Sequence, residues 1–181
     1  MDSVHIFGVN HFLQWVDPMC LYAAGRADEA EQKAGLRSAL DAIITANQVE
    51  LIAEEEKPEN RNLGAAIAEE RHLNYVELTM PIAEREQLGI DTRTYQLRPE
   101  TKAHAYREFE RRMFQQIVSR NARVTLAICG RRHMRGLEQR VQNAGVRAII
   151  YDVYDYDWYR GIPLEDLGDR SVLGYEREDE G

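Results

Sequence analysis

Short hydrophobic runs alternate with amphipathic segments along the first 152 or so residues of the chain. The runs are rich in β-branched residues and too short for helices, which is typical of buried parallel strands. We predict five strands, at Val4–Val9, Val49–Glu54, Tyr75–Leu78, Val124–Cys129 and Val146–Tyr151. Strands that alternate with helices indicate βαβ units, so the pattern predicts an α/β fold with a mostly parallel sheet.

Four helices are predicted between these strands from apolar residues that recur with the helical period. They cover Asp28–Asn47, Asn62–Arg71, Pro99–Arg120 and His133–Asn143. Asp28 and Asn62 suit N-caps, and Pro99 suits a first helical turn. Gly145 is a typical stop for the last helix. Residues 79–97 show no clear period, and a loop of that length is often functional.

The right-handed crossover rule limits how these strands can be arranged. The commonest compact order for five such strands is 3-2-1-4-5, which makes the first and fourth strands neighbours. Helices on both sides then give a three-layer, Rossmann-like sandwich. We expect one α/β domain over residues 1–160 and an acidic, partly disordered tail over residues 161–181.

The composition agrees with a globular protein of 181 residues, 44% of them hydrophobic. No stretch approaches the roughly 20 apolar residues of a membrane span, and the N-terminus does not resemble a signal peptide. We therefore expect a cytoplasmic protein that has no membrane partner. A net charge of −8 argues against generic nucleic-acid binding. Cys20 and Cys129 are expected to be free thiols, and Cys129 a small buried hydrophobic residue.

The net charge conceals three segments of different sign. Residues 1–97 carry 8 basic and 17 acidic residues, a net −9, and residues 98–147 carry 12 and 4, a net +8. Residues 148–181 carry 3 and 10, a net −7. The basic segment either pairs with its acidic flanks or binds an anion beside Arg131 and Arg132, at the start of the last helix.

Two motifs of the form GxxH follow the first and fourth predicted strands. They are Gly8-Val9-Asn10-His11 and Gly130-Arg131-Arg132-His133. Ligands of open α/β sheets bind in the crevice at the carboxyl ends of the strands. Because these two strands are predicted neighbours, we expect His11 and His133 to face one shared crevice.

Three carboxylates are candidates to complete this site. Glu54 follows a buried apolar strand directly and is expected to emerge into the crevice, whereas Glu55 points the other way by strand alternation. Glu110 falls within the apolar stripe of the long helix, so its carboxylate should face the sheet. It either pairs with an arginine beneath the loop or belongs to the site.

Histidine and carboxylate together are a ligand set for a divalent ion such as zinc, manganese or iron. The predicted ligands are His11, His133 and Glu54. Without a metal, the same groups could act as general acid and base, because imidazole titrates near neutral pH. The candidate catalytic carboxylates are Glu54, Glu55 and Glu110.

Several of these short motifs together resemble the TraB/GumN/Tiki-like group, which belongs with the erythromycin esterases and the ChaN-like haem-binding lipoproteins. They are the Phe7–His11 start, the Ile52–Glu55 strand end, Glu84-Arg85 with Gly89-Ile90, and Cys129–His133. More narrowly, the chain looks like a set of small uncharacterised bacterial proteins. The resemblance implies metal-assisted hydrolysis, with the GxxH histidines and a glutamate near the metal and Arg85 as a substrate or carboxylate partner. Arg131 and Arg132 replace residues that are usually small, which disfavours proteolysis.

The leading hypothesis is therefore a cytoplasmic hydrolase of a small anionic substrate, in which the metal or the side chains activate water. The residues expected to bind the substrate are Asn10, Arg85, Arg111 and Arg131. One alternative is a Rossmann-like sensor that binds a nucleotide or another anion without catalysis. Another is an assembly protein that uses the aromatic, acidic C-terminal stretch, for example as a homodimer.

Overall fold

Five parallel strands form one sheet in the computed structural model of the protein, which describes residues 1–14, 27–55, 62–90 and 99–160. Side chains are described in these ranges except at residues 11–12, 27–29 and 99–102. The strands are β1 (Ser3–Val9), β2 (Leu51–Glu54), β3 (Asn74–Glu77), β4 (Val124–Gly130) and β5 (Arg147–Asp152). Each lies within two residues of its predicted bounds, and the predicted α/β, Rossmann-like fold is confirmed.

Five α-helices connect or flank the strands in the described part of the chain. They are α1 (Ala27–Asn47), α2 (Leu63–Arg71), α3 (Ile82–Gln87), α4 (Pro99–Ser119) and α5 (Arg131–Asn143). The prediction of a loop over residues 79–97 is wrong for α3, which is too short to show a helical period. Residues 91–98 of that loop lie outside the described residues. None of the described helices is long and apolar enough to cross a membrane.

The helices form one layer on each side of the sheet. The layer with α1 and α2 buries Leu36, Leu40, Ile43 and Ile67 against Phe7, Ile52 and Ile128. The layer with α4 and α5 buries Met113, Ile117, Leu137 and Val141 against Ile6, Ala53 and Ala127. Burial of these apolar surfaces is the main force that fixes the helices on the sheet.

The strand order is 3-2-4-1-5, and the predicted order 3-2-1-4-5 is wrong in the positions of β1 and β4. β4 lies at the centre of the sheet, between β2 and β1. β5 pairs with the other side of β1. Both orders obey the crossover rule, so handedness alone could not distinguish them. The two GxxH strands remain neighbours, and β2 now lies directly beside β4.

Three side-chain features favour the observed order. α5 must pass over β1 to reach β5, and a β-carbon on Gly8 would lie 2.6 Å from the Met134 sulfur beneath this helix. Across β1 and β5, the ring of Tyr151 stacks on His5 at a centroid distance of 5.9 Å. Across β2 and β4, the Glu50 carboxylate accepts hydrogen bonds from the backbone and side chain of Arg123, at 2.8 and 2.9 Å.

Arginines of the basic segment pair with the acidic flanks at three points. They are Arg112 with Glu84, Arg123 with Glu50 and Arg131 with Asp152, at 2.7, 2.9 and 2.7 Å. The intramolecular explanation of the charge segments is therefore confirmed for these arginines.

The aromatic stretch after β5 packs on this domain. Tyr156, Trp158 and Tyr159 contact the core on the α1 side of the sheet. A β-carbon on Gly35 would lie 2.5 Å from the Trp158 ring, so this glycine allows the ring to approach α1 closely. The predicted disordered tail and the predicted free thiol of Cys20 lie outside the described residues.

Candidate functional site

The imidazole of His133 lies between two carboxylates at the carboxyl edge of the sheet. Its Nε2 atom is 3.4 Å from Oε1 of Glu55, and its Nδ1 atom is 3.7 Å from Oε1 of Glu110. His133 is only 7% exposed and Glu110 only 8%. Both ring nitrogens therefore face a carboxylate in a largely dehydrated environment, where electrostatic interactions are stronger than in water.

The strand order brings Glu55 to this histidine. Glu55 follows β2 directly, and β2 pairs with β4, whose end leads into α5 and His133. The backbone N–H of Glu55 donates to the carbonyl of Ile128 at 2.8 Å, and that of Gly130 donates to Glu55 Oε2 at 2.9 Å. These two hydrogen bonds fix both the backbone and the carboxylate of Glu55 beside β4.

Glu110 reaches the same imidazole from α4. Its burial agrees with the prediction that this carboxylate faces inward, and it lies beside His133. Its role in a functional site stays a prediction. A β-carbon on Gly136 would collide with the Glu110 carboxylate. Gly136 lies three residues after His133 on α5, so the absent side chain leaves room for Glu110 on the same helix face.

Two aromatic rings of α4 enclose the imidazole. Tyr106 and Phe109 meet His133 edge-on, at centroid distances of 5.1 and 5.8 Å. They are three residues apart and therefore share one face of α4. Together they restrict the rotation of the imidazole and shield it from solvent.

Glu54 lies in a different environment, although it is the residue before Glu55. It is completely buried, and its Oε2 accepts hydrogen bonds from the backbone of Ala65 at 3.2 Å and from the hydroxyl of Tyr75 at 3.3 Å. Gln14 donates to its Oε1 at 3.4 Å. Burial and the charge of Glu54 raise the pKa of Tyr75, which keeps this phenol a hydrogen-bond donor.

The predicted alternation of Glu54 and Glu55 is confirmed, but the expectation that Glu54 emerges into the crevice is wrong. Glu54 is buried against the start of α2, and Glu55 is the carboxylate that contacts His133. The proposed roles of Glu54 as metal ligand and catalytic group stay predictions.

The first GxxH motif leads from β1 into a short 3-10 helix, His11–Gln14. Val9 pairs in register with Gly130, so the backbones of the two motifs start side by side. The side chain of His11 lies outside the described part of the chain, and its convergence with His133 stays a prediction. Asn10, an expected substrate ligand, donates a hydrogen bond to the hydroxyl of Tyr159.

Two of the arginines expected at the substrate are engaged elsewhere. Arg131 donates two hydrogen bonds to Asp152, at 2.7 and 2.8 Å, and its guanidinium lies 4.0 Å from the Tyr154 centroid. The paired carboxylate raises the pKa of Arg131. Arg111 bonds Glu108 at 2.8 Å on the outer side of α4.

Two other arginines lie next to the rings that enclose His133. Arg85 stands 5.1 Å from the centroid of Phe109, and its Nε donates to the carbonyl of Met80 at 2.9 Å. Arg132, which the sequence placed beside a possible anion but not among the named substrate ligands, donates to the hydroxyl of Tyr106 at 3.2 Å. The available signal for Arg132 was its position next to His133 in the motif.

A metal ion could take two of the described side chains as ligands. Ligand atoms about 2.1 Å from a tetrahedral ion are about 3.4 Å apart, and His133 Nε2 and Glu55 Oε1 have that separation. Glu110 beside Nδ1 would orient the ring, as carboxylates commonly do behind histidine ligands. The described residues contain no group of three histidine, cysteine or acidic side chains that could hold an ion.

Cys129 does not add a nucleophile to the site. The thiol is completely buried, and burial together with the charges of Glu55 and Glu110 raises its pKa. Since the thiolate is the reactive form, this environment keeps the cysteine inert. Its interpretation as a small buried hydrophobic residue is confirmed.

Comparisons with protein-family models, curated protein sequences and solved structures gave no match to this chain. The resemblance to the TraB/GumN/Tiki-like group stays a prediction from the short motifs.

Proposed function

We propose that the protein is a cytoplasmic hydrolase of small anionic molecules, and that His133 is the group that activates water. One observation carries this proposal: the imidazole lies between the carboxylates of Glu55 and Glu110, with one at each ring nitrogen. Such a flanked imidazole is suited to general acid–base chemistry near neutral pH.

The two carboxylates have different roles in this mechanism. Glu110, with its Oε1 3.7 Å from Nδ1 of His133, favours the tautomer that carries its proton on Nδ1, so that Nε2 is unprotonated and can accept a proton from water. Glu55, held by the Gly130 N–H, lies at Nε2 and can orient a water molecule there. Both carboxylates stabilise the imidazolium that forms when the ring accepts a proton.

The reaction is an addition of water across an ester bond. Water gives a proton to Nε2 of His133, and its oxygen bonds to the electrophilic carbon or phosphorus. The bond to the leaving oxygen breaks with its electron pair on that oxygen, which then takes the proton from the imidazolium. The products are an acid and an alcohol, and His133 returns to its neutral form.

A divalent metal ion is compatible with this arrangement. His133 and Glu55 would hold it, and His11 is the predicted third ligand. When bound, such an ion lowers the pKa of a coordinated water and polarises the substrate. Manganese, zinc and iron are the candidates, because each accepts imidazole and carboxylate ligands.

Ester hydrolysis by purified variants tests the acid–base role. We expect His133→Ala and Glu55→Gln to lower the turnover of p-nitrophenyl acetate and p-nitrophenyl phosphate by about 100-fold or more. His104→Ala is the matched control, because this histidine is exposed on α4, and it should leave turnover unchanged. Full activity of His133→Ala would contradict the proposal. A wild-type protein that binds phosphate but hydrolyses neither ester would favour the non-catalytic sensor.

Metal content tests the cofactor separately. Protein saturated with manganese or zinc and then desalted should retain one ion per chain, and His133→Ala and Glu55→Gln should each lose it. Glu54→Gln should retain the ion if Glu55 is the ligand, and should lose it if the sequence-based assignment of Glu54 is right. Stoichiometric binding by a His11→Ala/His133→Ala variant would exclude a metal site at these histidines.

A further inference from the structure

The two rings that enclose His133, those of Tyr106 and Phe109, each also contact an arginine. Arg132 is bonded to the hydroxyl of Tyr106, and the guanidinium of Arg85 lies over the ring of Phe109. The two arginines come from different elements, α5 and α3, and contact two neighbouring rings of α4 that pack on the imidazole. A guanidinium stacked on a ring is held in place while its N–H groups stay available for a ligand.

Neither guanidinium pairs with a carboxylate among the residues that the structure describes. Within the described part of the chain, the Arg85 guanidinium donates to a backbone carbonyl and the Arg132 guanidinium to a phenol. Other arginines of this region differ, because Arg111, Arg112 and Arg131 each pair with an acidic side chain. Each of these two guanidinium groups, which have no acidic partner among the described residues, therefore contacts a ring that itself packs on the candidate catalytic histidine.

Two carboxylates, Glu55 and Glu110, already stand at His133. They would repel an anionic substrate unless positive charge compensates for them. Guanidinium groups match phosphate oxygens especially well, because their N–H groups form two parallel charge-assisted hydrogen bonds.

We propose that Arg85 and Arg132 bind the phosphate group of a phosphomonoester and present its phosphorus to the water at His133. This inference rests on the proposed hydrolase function and specifies its substrate class. Two guanidinium groups balance the two charges of the phosphate and stabilise the equatorial oxygens during transfer. The bond that forms joins the water oxygen to phosphorus, and the bond that breaks joins phosphorus to the ester oxygen. The released alcohol takes a proton from the His133 imidazolium, and the other product is inorganic phosphate.

Two chromogenic esters separate recognition of phosphate from chemistry. We expect Arg85→Gln and Arg132→Gln each to lower kcat/KM for p-nitrophenyl phosphate by about 10- to 100-fold, mainly through a higher KM. Turnover of the uncharged p-nitrophenyl acetate should stay within about twofold of wild type. Arg135→Gln is the control on α5, because Arg135 is exposed and bonds Glu138.

Arg85 also packs on Phe109, so its loss could affect folding. Arg85→Met keeps the aliphatic contact and removes the charge together with the hydrogen bond to Met80, and it should reproduce the KM effect of Arg85→Gln. Melting temperatures of all variants, measured in the same buffer, show whether a lost activity reflects an unfolded protein.

Calorimetric titration with inorganic phosphate tests the arginines independently of catalysis. Wild type and Arg135→Gln should bind phosphate, and Arg85→Gln/Arg132→Gln should bind at least about 100-fold more weakly. Phosphate binding without ester hydrolysis would support the arginine site while it contradicts the hydrolase. Hydrolysis of the acetate without phosphate binding would overturn the arginine site and leave the hydrolase intact. Equal losses in the Arg132 and Arg135 variants would indicate a general surface-charge effect and would also overturn it.

Discussion

The Glu110 carboxylate occupies the space that a side chain at Gly136 would need. α4 and α5 therefore approach each other closely at a point where one helix contributes a carboxylate and the other contributes only backbone. Glu110 reaches His133 because of this contact, since Gly136 lies one helical turn after the histidine. A single methyl group at position 136 would separate the two helices or expel the carboxylate.

Gly136→Ala should lower the free energy of unfolding even though alanine is the better helix former. Overpacking of a buried contact costs about 1–3 kcal/mol, and the gain in helix propensity recovers about 1 kcal/mol. For a domain of this size we expect the melting temperature to fall by about 2–4 °C per net kcal/mol, together with loss of ester hydrolysis. Thermal unfolding followed by circular dichroism measures the shift.

A double variant identifies the cause of the lower stability of Gly136→Ala. Glu110→Ala removes the carboxylate that the methyl group at position 136 would meet. In that background Gly136→Ala should lower the free energy of unfolding by at least about 1 kcal/mol less than it does in wild type. Gln139→Ala, on the exposed side of α5, is a neutral control. A melting temperature that rises in Gly136→Ala alone would contradict the close contact.

Glu54 should matter for stability more than for catalysis. Glu54→Ala leaves the Ala65 amide and the Tyr75 hydroxyl without their buried acceptor and also creates a cavity, so we expect a loss of about 3 kcal/mol or more. Glu54→Gln keeps one acceptor oxygen and should cost about 1–2 kcal/mol. Urea unfolding measures both losses.

Glu77 supplies the matched control for this prediction. It lies next to Glu54 in the register of β2 and β3, but it is exposed. Glu77→Ala should change the free energy of unfolding by less than about 0.5 kcal/mol. Equal effects at both positions would show that the hydrogen bonds of Glu54 contribute nothing to stability.

His5 should make the stability of the protein depend on pH. This histidine is 3% exposed, and burial, followed by the charge of Arg147, lowers its pKa from the ordinary 6.5. The unfolded chain therefore binds a proton at a pH where the folded protein does not. Stability is fully present above about pH 6.5 and falls as the pH drops toward the lowered pKa, by about 1.4 kcal/mol for each unit between the two values.

His5→Phe tests this dependence, because phenylalanine keeps a ring that can stack on Tyr151 and does not titrate. The difference in the free energy of unfolding between pH 7.5 and pH 5.5 should be smaller in this variant than in wild type. His104→Ala should retain the wild-type difference. If His5→Phe retains it as well, His5 does not titrate as its burial implies.

The strands and most helices could be predicted from the sequence because their signals are local. Runs such as Val4–Val9 are apolar on both faces, and Gly145 ends α5 with a φ of 74°, which glycine adopts without strain. The burial of Glu110 followed in the same way from the period of α4. Each of these inferences needed only the residues within a few turns.

The order of the strands depended on contacts between distant residues. The Glu50–Arg123 pair and the His5–Tyr151 stack join segments 73 and 146 residues apart. Neither contact has a local signal in the sequence, which therefore favours the commonest strand order, and this order is wrong. The error also misplaced β2 relative to β4, and so concealed the approach of Glu55 to His133.

The assignment of arginines failed for a related reason. The sequence of a motif does not show whether its arginine already has an acidic partner elsewhere in the chain. Arg131 has one, because it donates a hydrogen bond to Asp152, the last residue of β5. Arg132, the next residue, faces Tyr106 of α4 instead. Consecutive helical residues point about 100° apart, so neighbours in one motif can have unrelated partners.

The central place of β4 has a consequence for the growing chain. β1 precedes the other described strands in the chain, but both of its partners, β4 and β5, begin only at residues 124 and 147. During translation β1 therefore has none of its partners in the described sheet until residues 124–130 have been synthesised. An N-terminal fragment that stops before β4 contains β1 and the β2–β3 pair as separate pieces with unpaired edges, the kind of surface that promotes aggregation.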